Sequence, residues 1–392
     1  MWKEITPAPA DAILGLTEAF KNDSRAEKVN LGVGVYKDAA GATPVLAAVK
    51  AAEKKVLEAE ASKSYMPIAG EAAYGAAVQK MVLGDVSDRA ATVHTPGGTG
   101  ALRLAGELLN SFGSKTIWVS NPTWANHKNI FKAAGLTIQD YPYYNAETKA
   151  LDEEAFFAAL ETVPAGDAVL LHACCHNPTG VDLNAGQWDR VAALAKANGW
   201  TALIDFAYQG FGESIEADRK SVETFLAAGV DFFVASSFSK NFGLYRERTG
   251  ALTAIATTAD DAATAVSHMK AAARVSYSNP PAHGGLIVTT LLSDPELSKV
   301  WKTELDAMRE RIAGMRSALA DGLTDRGVPM DCSFMTQQRG MFSFSGLNKE
   351  QVDFLREEKA VYIVGSGRIN VAGLTPDNIN GVCEAIAEAI KS

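Results

Sequence analysis

Three short apolar runs in the middle of the chain each break off at a polar cluster. They are Ala168-Val169-Leu170-Leu171-His172, Thr201-Ala202-Leu203-Ile204 before Asp205, and Phe232-Phe233-Val234-Ala235 before Ser236. Uninterrupted apolar runs of this length, separated by helical patterns, predict strands buried on both faces of a parallel sheet. Val45 to Ala61 reads as a helix. Thr95-Pro96-Gly97-Gly98-Thr99-Gly100 is a glycine turn that opens a second helix, Ala101 to Phe112, closed by Gly113. Asn184 and Gln187 have the spacing of a capping box, which starts a helix running to Gly199. Ala251 to Ala256 predicts one more strand. Asp294-Pro295 is a cap followed by a first-turn proline. From there apolar residues recur every three or four positions from Leu297 to Leu323. That spacing predicts one long amphipathic helix bridging two domains, with Gly314 as a candidate bend. Residues 1–44 read as an arm followed by a short extended segment, Leu31 to Tyr36. A strand near Met341–Phe344 and a helix near Glu350–Glu358 suggest a small α/β unit that takes partner elements from the N-terminal residues.

Composition narrows the class. The chain has 392 residues, 47% hydrophobic and 21% charged, which suits a globular enzyme. A net charge of −9 argues against a nucleic-acid footprint, which needs a basic patch. No apolar run approaches the roughly 20 residues that span a bilayer. Met1 to Pro7 lacks the apolar core of a signal peptide. The cysteines are Cys174, Cys175, Cys332 and Cys383, and reduced cytosolic thiols are expected. The six histidines show no metal-ligand spacing, so no metal site is expected.

The chemistry collects where the apolar runs end. In open α/β sheets ligands sit beyond the carboxyl ends of the strands. The three runs lead to Asn177 in Cys174-Cys175-His176-Asn177-Pro178-Thr179-Gly180, to Asp205 and Tyr208, and to Lys240. Lys240 follows Ser236, Ser237 and Ser239, and arginines come just after it. An amine so placed can condense with the aldehyde of a cofactor whose phosphate is held nearby. A glycine turn at a helix start offers free N–H groups to an anion, although a plain tight turn explains the Gly97-Gly98 segment as well. The G-x-G-x-x-G fingerprint is missing there, which removes the main support for a dehydrogenase.

On these residues the chain resembles a class I pyridoxal-phosphate aminotransferase of the aspartate/aromatic branch, fold type I. The resemblance runs from Pro9-Ala10-Asp11 to Asn378. It is carried by Gly32-Val33-Gly34-Val35-Tyr36-Lys37-Asp38, Gly97 to Arg103, Asn121 to His127, Cys174 to Gly180, Asp205 to Gly210, Ser237 to Gly243, Tyr277-Ser278-Asn279-Pro280-Pro281 and Gly367-Arg368-Ile369-Asn370. Gly70-Glu71-Ala72-Ala73-Tyr74 departs from the commoner P-E-F pattern. The resemblance implies an α/β fold, with a large doubly wound, mostly parallel sheet domain and a smaller α/β domain formed by both termini. The expected bounds are 1–44 for the arm and part of the small domain, 45–308 for the cofactor domain and 309–392 for the rest.

The resemblance also implies roles. Lys240 carries the pyridoxal 5'-phosphate and moves the proton at the substrate α-carbon. Asp205 pairs with the pyridine nitrogen, and His127 orients Asp205. Asn177 and Tyr208 hydrogen-bond the phenolic oxygen. Trp124 stacks on one ring face and Ala207 approaches the other. Gly98, Thr99, Ser237 and Arg248 form the phosphate cup, joined by Tyr65 from a neighbouring subunit in a homodimer with shared active sites. Arg368 takes the substrate α-carboxylate, and Arg274, also from the other subunit, takes a distal carboxylate. Gly34 and the Ile13-Leu14 arm fold over bound substrate. Val35, Lys37, Thr43, Thr99 and Asn279 fit the aspartate-type pattern, while Ser64 decides nothing.

The expected activity is therefore transamination between an L-amino acid, aspartate favoured, and 2-oxoglutarate by a ping-pong route. The nearest alternative is an aromatic amino acid aminotransferase that also accepts dicarboxylates. A cofactor-binding regulator on the same fold would carry a basic DNA-binding module, which the sequence does not show. A pyridoxal-phosphate decarboxylase or β-eliminase would not need two carboxylate-binding arginines. The expected partners are amino acids and 2-oxo acids, without nucleic acid or membrane, and the expected location is the cytoplasm.

Overall fold

Seven strands form one sheet in the order Ala90–Pro96, Thr249–Ile255, Phe232–Ser237, Thr201–Phe206, Ala168–His172, Thr116–Asn121, Thr137–Pro142. The computed structural model describes Trp2, Ile5, Thr6 and residues 12–391, with the side chains of residues 12–14 left out. Pro9, Ala10 and Asp11 of the arm motif therefore lie outside the described residues, as do the side chains of Ile13 and Leu14. All strand pairs are parallel except those made by Thr249–Ile255, which runs antiparallel to both its neighbours. The three apolar runs are adjacent central strands, and every residue of Phe232–Ser237 is buried. Helices cover the sheet, as continuous apolar strands require. Leu102, Leu104, Leu108 and Leu109 of the helix Gly97–Ser111 pack in one core with Ile117, Val119, Leu170, Leu203 and Leu252. Fully burying each such leucine is worth about 2 kcal/mol.

The helical expectations hold with small shifts. The helices expected at Val45–Ala61 and Ala101–Phe112 are Ala47–Ala59 and Gly97–Ser111. The helix Ala185–Asn198 begins with a complete Asn184/Gln187 capping box and ends at Gly199 in the left-handed conformation. The long amphipathic helix is Pro295–Asp325 and runs unbroken through Gly314.

The chain divides into two units, residues 44–310 and residues 1–43 with 311–392, so the dividing line falls inside that long helix. In the second unit Val29–Asn30 pairs in parallel with Val361–Tyr362, and Phe342–Phe344 pairs antiparallel with Arg368–Asn370. The N-terminal residues supply a partner strand, Val29–Asn30, just before the segment read as extended. Leu31 to Tyr36 is irregular. Its backbone is held piecemeal: Leu31 N donates to the Tyr362 carbonyl at 2.8 Å, and Asn370 N donates to the Leu31 carbonyl at 2.7 Å. These bonds replace a regular ladder.

Candidate active site

The site in residues 44–310 is built at the carboxyl ends of the central strands. Asp205 is the fifth residue of Thr201–Phe206 and stands opposite His172 on one neighbouring strand and Ala235 on the other. It is buried. His127 Nε2 lies 2.9 Å from Asp205 Oδ2, and His127 Nδ1 lies 2.8 Å from Thr123 Oγ1. Burial pushes the Asp205 carboxyl pKa up. The His127 hydrogen bond, with the electrostatic pull of His127 and Lys240, outweighs it and holds the pKa below the ordinary value. The group is thus kept as an anion inside the protein.

Lys240 Nζ, on the loop after the next strand, lies 5.2 Å from the centroid of the Tyr208 ring. Asn177 and Tyr208 are both buried. The loops that carry these groups are pinned by side chains to which the sequence reading gave no role. Asp182 accepts hydrogen bonds from Cys175 N and His176 N at 2.7 and 2.8 Å, just before Asn177. Asp218 accepts from the amides of Gly210, Gly212 and Glu213 at 2.7, 3.0 and 2.8 Å, just after Tyr208. Asn241, next to Lys240, donates to the Gln209 carbonyl at 3.2 Å, and its own carbonyl accepts from Trp301 Nε1 at 2.7 Å. Isolated aspartates in a loop look like surface polarity in a sequence. Only the fold shows that each is a hub for several amides.

The antiparallel strand explains the anion cradle. Because Thr249–Ile255 runs backwards, its first residues meet the carboxyl ends of its neighbours: Thr249 faces Pro96 and Gly250 faces Ser237. Arg248 therefore reaches the glycine turn. A Cβ on Gly97 would stand 2.4 Å from Arg248 Nη2, and one on Gly98 would stand 3.0 Å from Ser237 Cβ. Gly97 also has φ +72°, which a side chain would disfavour. The start of the helix Gly97–Ser111, the Ser237 hydroxyl and the Arg248 guanidinium converge where a phosphate is best received. Trp124 is half-buried, edge-on to the His127 ring at 5.1 Å.

His172 adds a feature that linear spacing hides. One ligand atom each of His127, His172 and Asp205 gather within 4.8 Å, so residue types that also bind metals meet in space although the sequence showed no such spacing. His172 and His176 rings lie 4.2 Å apart, and Tyr143 stacks on His176 at 4.0 Å. Burial, helped by the His127 charge, pulls the His172 pKa down to about 3 and keeps the ring neutral.

The remaining candidates fall into two groups. Tyr65 and Arg274 are both exposed, Tyr65 to 93%. Arg274 Nη1 donates to Ser278 Oγ at 2.5 Å. In the other unit, Arg368 is buried and donates through Nη2 to the Gly32 carbonyl at 2.7 Å, and Gly34 lies beside Phe342.

The donor set fits pyridoxal phosphate: a buried anion for a ring nitrogen, an amine on the next strand end, and a glycine-hydroxyl-guanidinium cradle for a phosphate. The comparisons agree. A family model described as aminotransferase class I and II matches residues 26–386. Aspartate aminotransferase of Escherichia coli is 50% identical over 396 residues, which cover all of both chains. Among solved structures, aromatic-amino-acid aminotransferase from Burkholderia pseudomallei, covalently bound to pyridoxal phosphate, superposes with a TM-score of 0.97 at 48% identity. It covers 100% of this chain and 99% of its own. An aromatic amino acid aminotransferase from a Psychrobacter species, cocrystallised with aspartic acid, has a TM-score of 0.97 at 37% identity and full coverage of both chains.

Proposed function

The chain belongs to the class I and II aminotransferases and is a pyridoxal-phosphate enzyme, and within that family we propose that it moves amino groups between aspartate and 2-oxoglutarate in two half-reactions. The observation that carries the reading is the buried Asp205 anion, fixed by His127 one strand away from the Lys240 strand end.

When bound, the cofactor supplies an electron sink for the pair left at the substrate α-carbon. Lys240 would hold the cofactor through its side-chain amine, and its Nζ would take and return the proton at the substrate α-carbon. The Asp205 carboxylate keeps a proton on the ring nitrogen, because an adjacent anion raises that nitrogen's pKa. Asn177 and the Tyr208 hydroxyl hydrogen-bond the phenolic oxygen. Trp124 and Ala207 confine the ring. Gly98, Thr99, Ser237 and Arg248 bind the phosphate, with Tyr65 reaching in from a second subunit. The exposure of Tyr65 and Arg274 supports a homodimer in which each copy completes the other's site. Arg368 orients the α-carboxylate through two parallel donors, and Arg274 receives the distal carboxylate. Gly34 and the Ile13-Leu14 arm close over substrate and exclude water.

Aspartate leads because Val35, Lys37, Thr43, Thr99 and Asn279 fit the aspartate-type pattern. Aromatic donors are the second reading, supported by the Burkholderia relative's name. The Psychrobacter enzyme is named for aromatic substrates and was cocrystallised with aspartic acid, which supports testing both kinds of donor. Among the described residues no helix is long and apolar enough to cross a membrane, and we place the enzyme in the cytoplasm. The test is kcat/KM for aspartate and for phenylalanine, each with 2-oxoglutarate, together with borohydride reduction and peptide mapping. A higher value for phenylalanine would replace the aspartate reading. A pyridoxyl adduct anywhere but on Lys240 would remove the assigned anchor.

A further inference from the structure

We infer that Phe342, backed by Gly34, is a positioning residue that holds the Arg368 guanidinium in its carboxylate-binding plane. The inference rests on the reading of Arg368 as the α-carboxylate ligand. The guanidinium carbon lies over the Phe342 ring, 4.2 Å from its centroid. The two residues come from paired antiparallel strands in which Phe342 faces Asn370 and Phe344 faces Arg368. Phe342 and Arg368 are therefore diagonal neighbours, within reach of an aromatic and a long side chain on one face of the pair. The ring face attracts the cation and fixes the plane of the fork. The bond from Nη2 to the Gly32 carbonyl then fixes its rotation within that plane.

The ring itself is boxed in. A Cβ on Gly34 would stand 2.8 Å from Phe342 Cζ and 3.4 Å from Cε1. Gly34 is not among the residues with positive φ, so what the position requires is space for the ring. The segment cannot easily retreat. The Asn370 amide donates to the carbonyls of Val33 and Val35 at 2.7 and 2.8 Å, one on each side of Gly34. Arg368 and Asn370, two residues of one strand, thus grip the segment whose glycine supports the ring beneath Arg368. A carboxylate that arrives meets a fork already oriented, and less ordering remains to oppose binding.

The test uses the holoenzyme and reads calorimetric binding of succinate, an unreactive dicarboxylate, beside KM and kcat for 2-oxoglutarate. Phe342→Leu keeps apolar volume but removes the ring face. It should raise the succinate Kd and the KM about ten-fold while kcat stays within about three-fold, as expected for lost ground-state positioning. Phe342→Tyr keeps the face and should stay within about three-fold of the parent in Kd. Gly34→Ala pushes on the ring and should weaken succinate binding by itself. Added to Phe342→Leu it should do little more, because the group it strikes has gone, and that non-additivity is the signature of contact. Arg368→Gln separates the two levels of argument. If it binds succinate poorly while Phe342→Leu and Gly34→Ala both bind like the parent, the positioning role is refuted and the Arg368 reading survives. If Arg368→Gln itself binds like the parent, both fail. Should Phe342→Leu not fold, Gly34→Ala with unchanged succinate binding is refutation enough.

Discussion

Acid should weaken this protein through His94, and one substitution isolates the effect. His94 is fully buried in the strand Ala90–Pro96, with its ring 4.3 Å from that of Tyr74. Gly70 and Gly285 crowd it so closely that a Cβ on either would lie 2.6 or 2.5 Å from His94 atoms. Neither ring nitrogen has a hydrogen-bond partner among the described residues. Burial disfavours the charged ring and pulls the pKa from 6.5 down to about 4. The folded state thus binds fewer protons than the unfolded state between those two values. Stability is fully present above pH 6.5, is lost as the pH falls toward 4, and loses nothing more from this group below that. Integrating the linkage relation from pH 7.5 to pH 5 gives a loss of about 2 kcal/mol from His94 alone. His176, which is buried, and His172, whose ring nitrogens are buried, also have lowered values and add to the loss in the parent, so the difference between two proteins is the informative quantity. His94→Gln has similar reach and does not titrate in this range. Urea unfolding at pH 7.5, 6 and 5, with saturating cofactor throughout, should show a parent curve steeper than the variant's by about 2 kcal/mol over the interval. The absolute stability of the variant at pH 7.5 does not enter. Parallel curves would mean that His94 titrates normally in the fold, and the argument from its burial would be wrong.

Two further substitutions probe the site. Arg274→Asp reverses the charge meant for a distal carboxylate. It should lower kcat/KM for aspartate by about a hundred-fold or more, and that for phenylalanine by far less; equal losses would place Arg274 outside the side-chain pocket. Gly250→Ala puts a Cβ 2.5 Å from the Gly97 carbonyl carbon and 2.7 Å from the Ser236 carbonyl oxygen, both backbone atoms. The phosphate cradle must shift, and cofactor retained after dialysis should fall about ten-fold or more, while full retention would show that the cradle is not tightly packed.

The central strands were legible because a strand buried on both faces by helices needs apolar residues at every position. Ala168–Leu171, Ala202–Ile204 and Phe232–Ala235 meet that need and stop where the polar groups begin. Direction was not legible. Thr249–Ile255 is buried along its whole length, and so is the oppositely running Phe232–Ser237 beside it, so burial pattern carries no information about which way a central strand runs. That missing bit is what brings Arg248 to Gly97. In the small unit the strand at Phe342–Phe344 and the helix Lys349–Lys359 were legible, but the pairings of its shortest strands were not. Strands of two or three residues, such as Val29–Asn30 and Arg368–Asn370, are too short for any useful pattern, and Val29–Asn30 finds its partner only at Val361–Tyr362, at the other end of the chain.

The residues proposed to touch ligand and those that hold them differ in the same way. Lys240, Asp205 and Asn177 stand at the ends of strands, so local pattern and general sheet geometry find them together. Asp182, Asp218 and Phe342 act through contacts that no periodic pattern marks: each is recognisable only once several amides or a guanidinium are seen to converge on it. Asp218 shows the consequence. Burial pushes its pKa up against the opposing pull of hydrogen bonds from Glu213, Gly212 and Gly210, so the loop after Tyr208 is ordered at some electrostatic cost. A carboxylate kept in so unfavourable a place must be doing so for geometry, since an apolar side chain there would leave three amides without a partner. The backbone that follows Tyr208 is thus fixed by a side chain ten residues downstream of it.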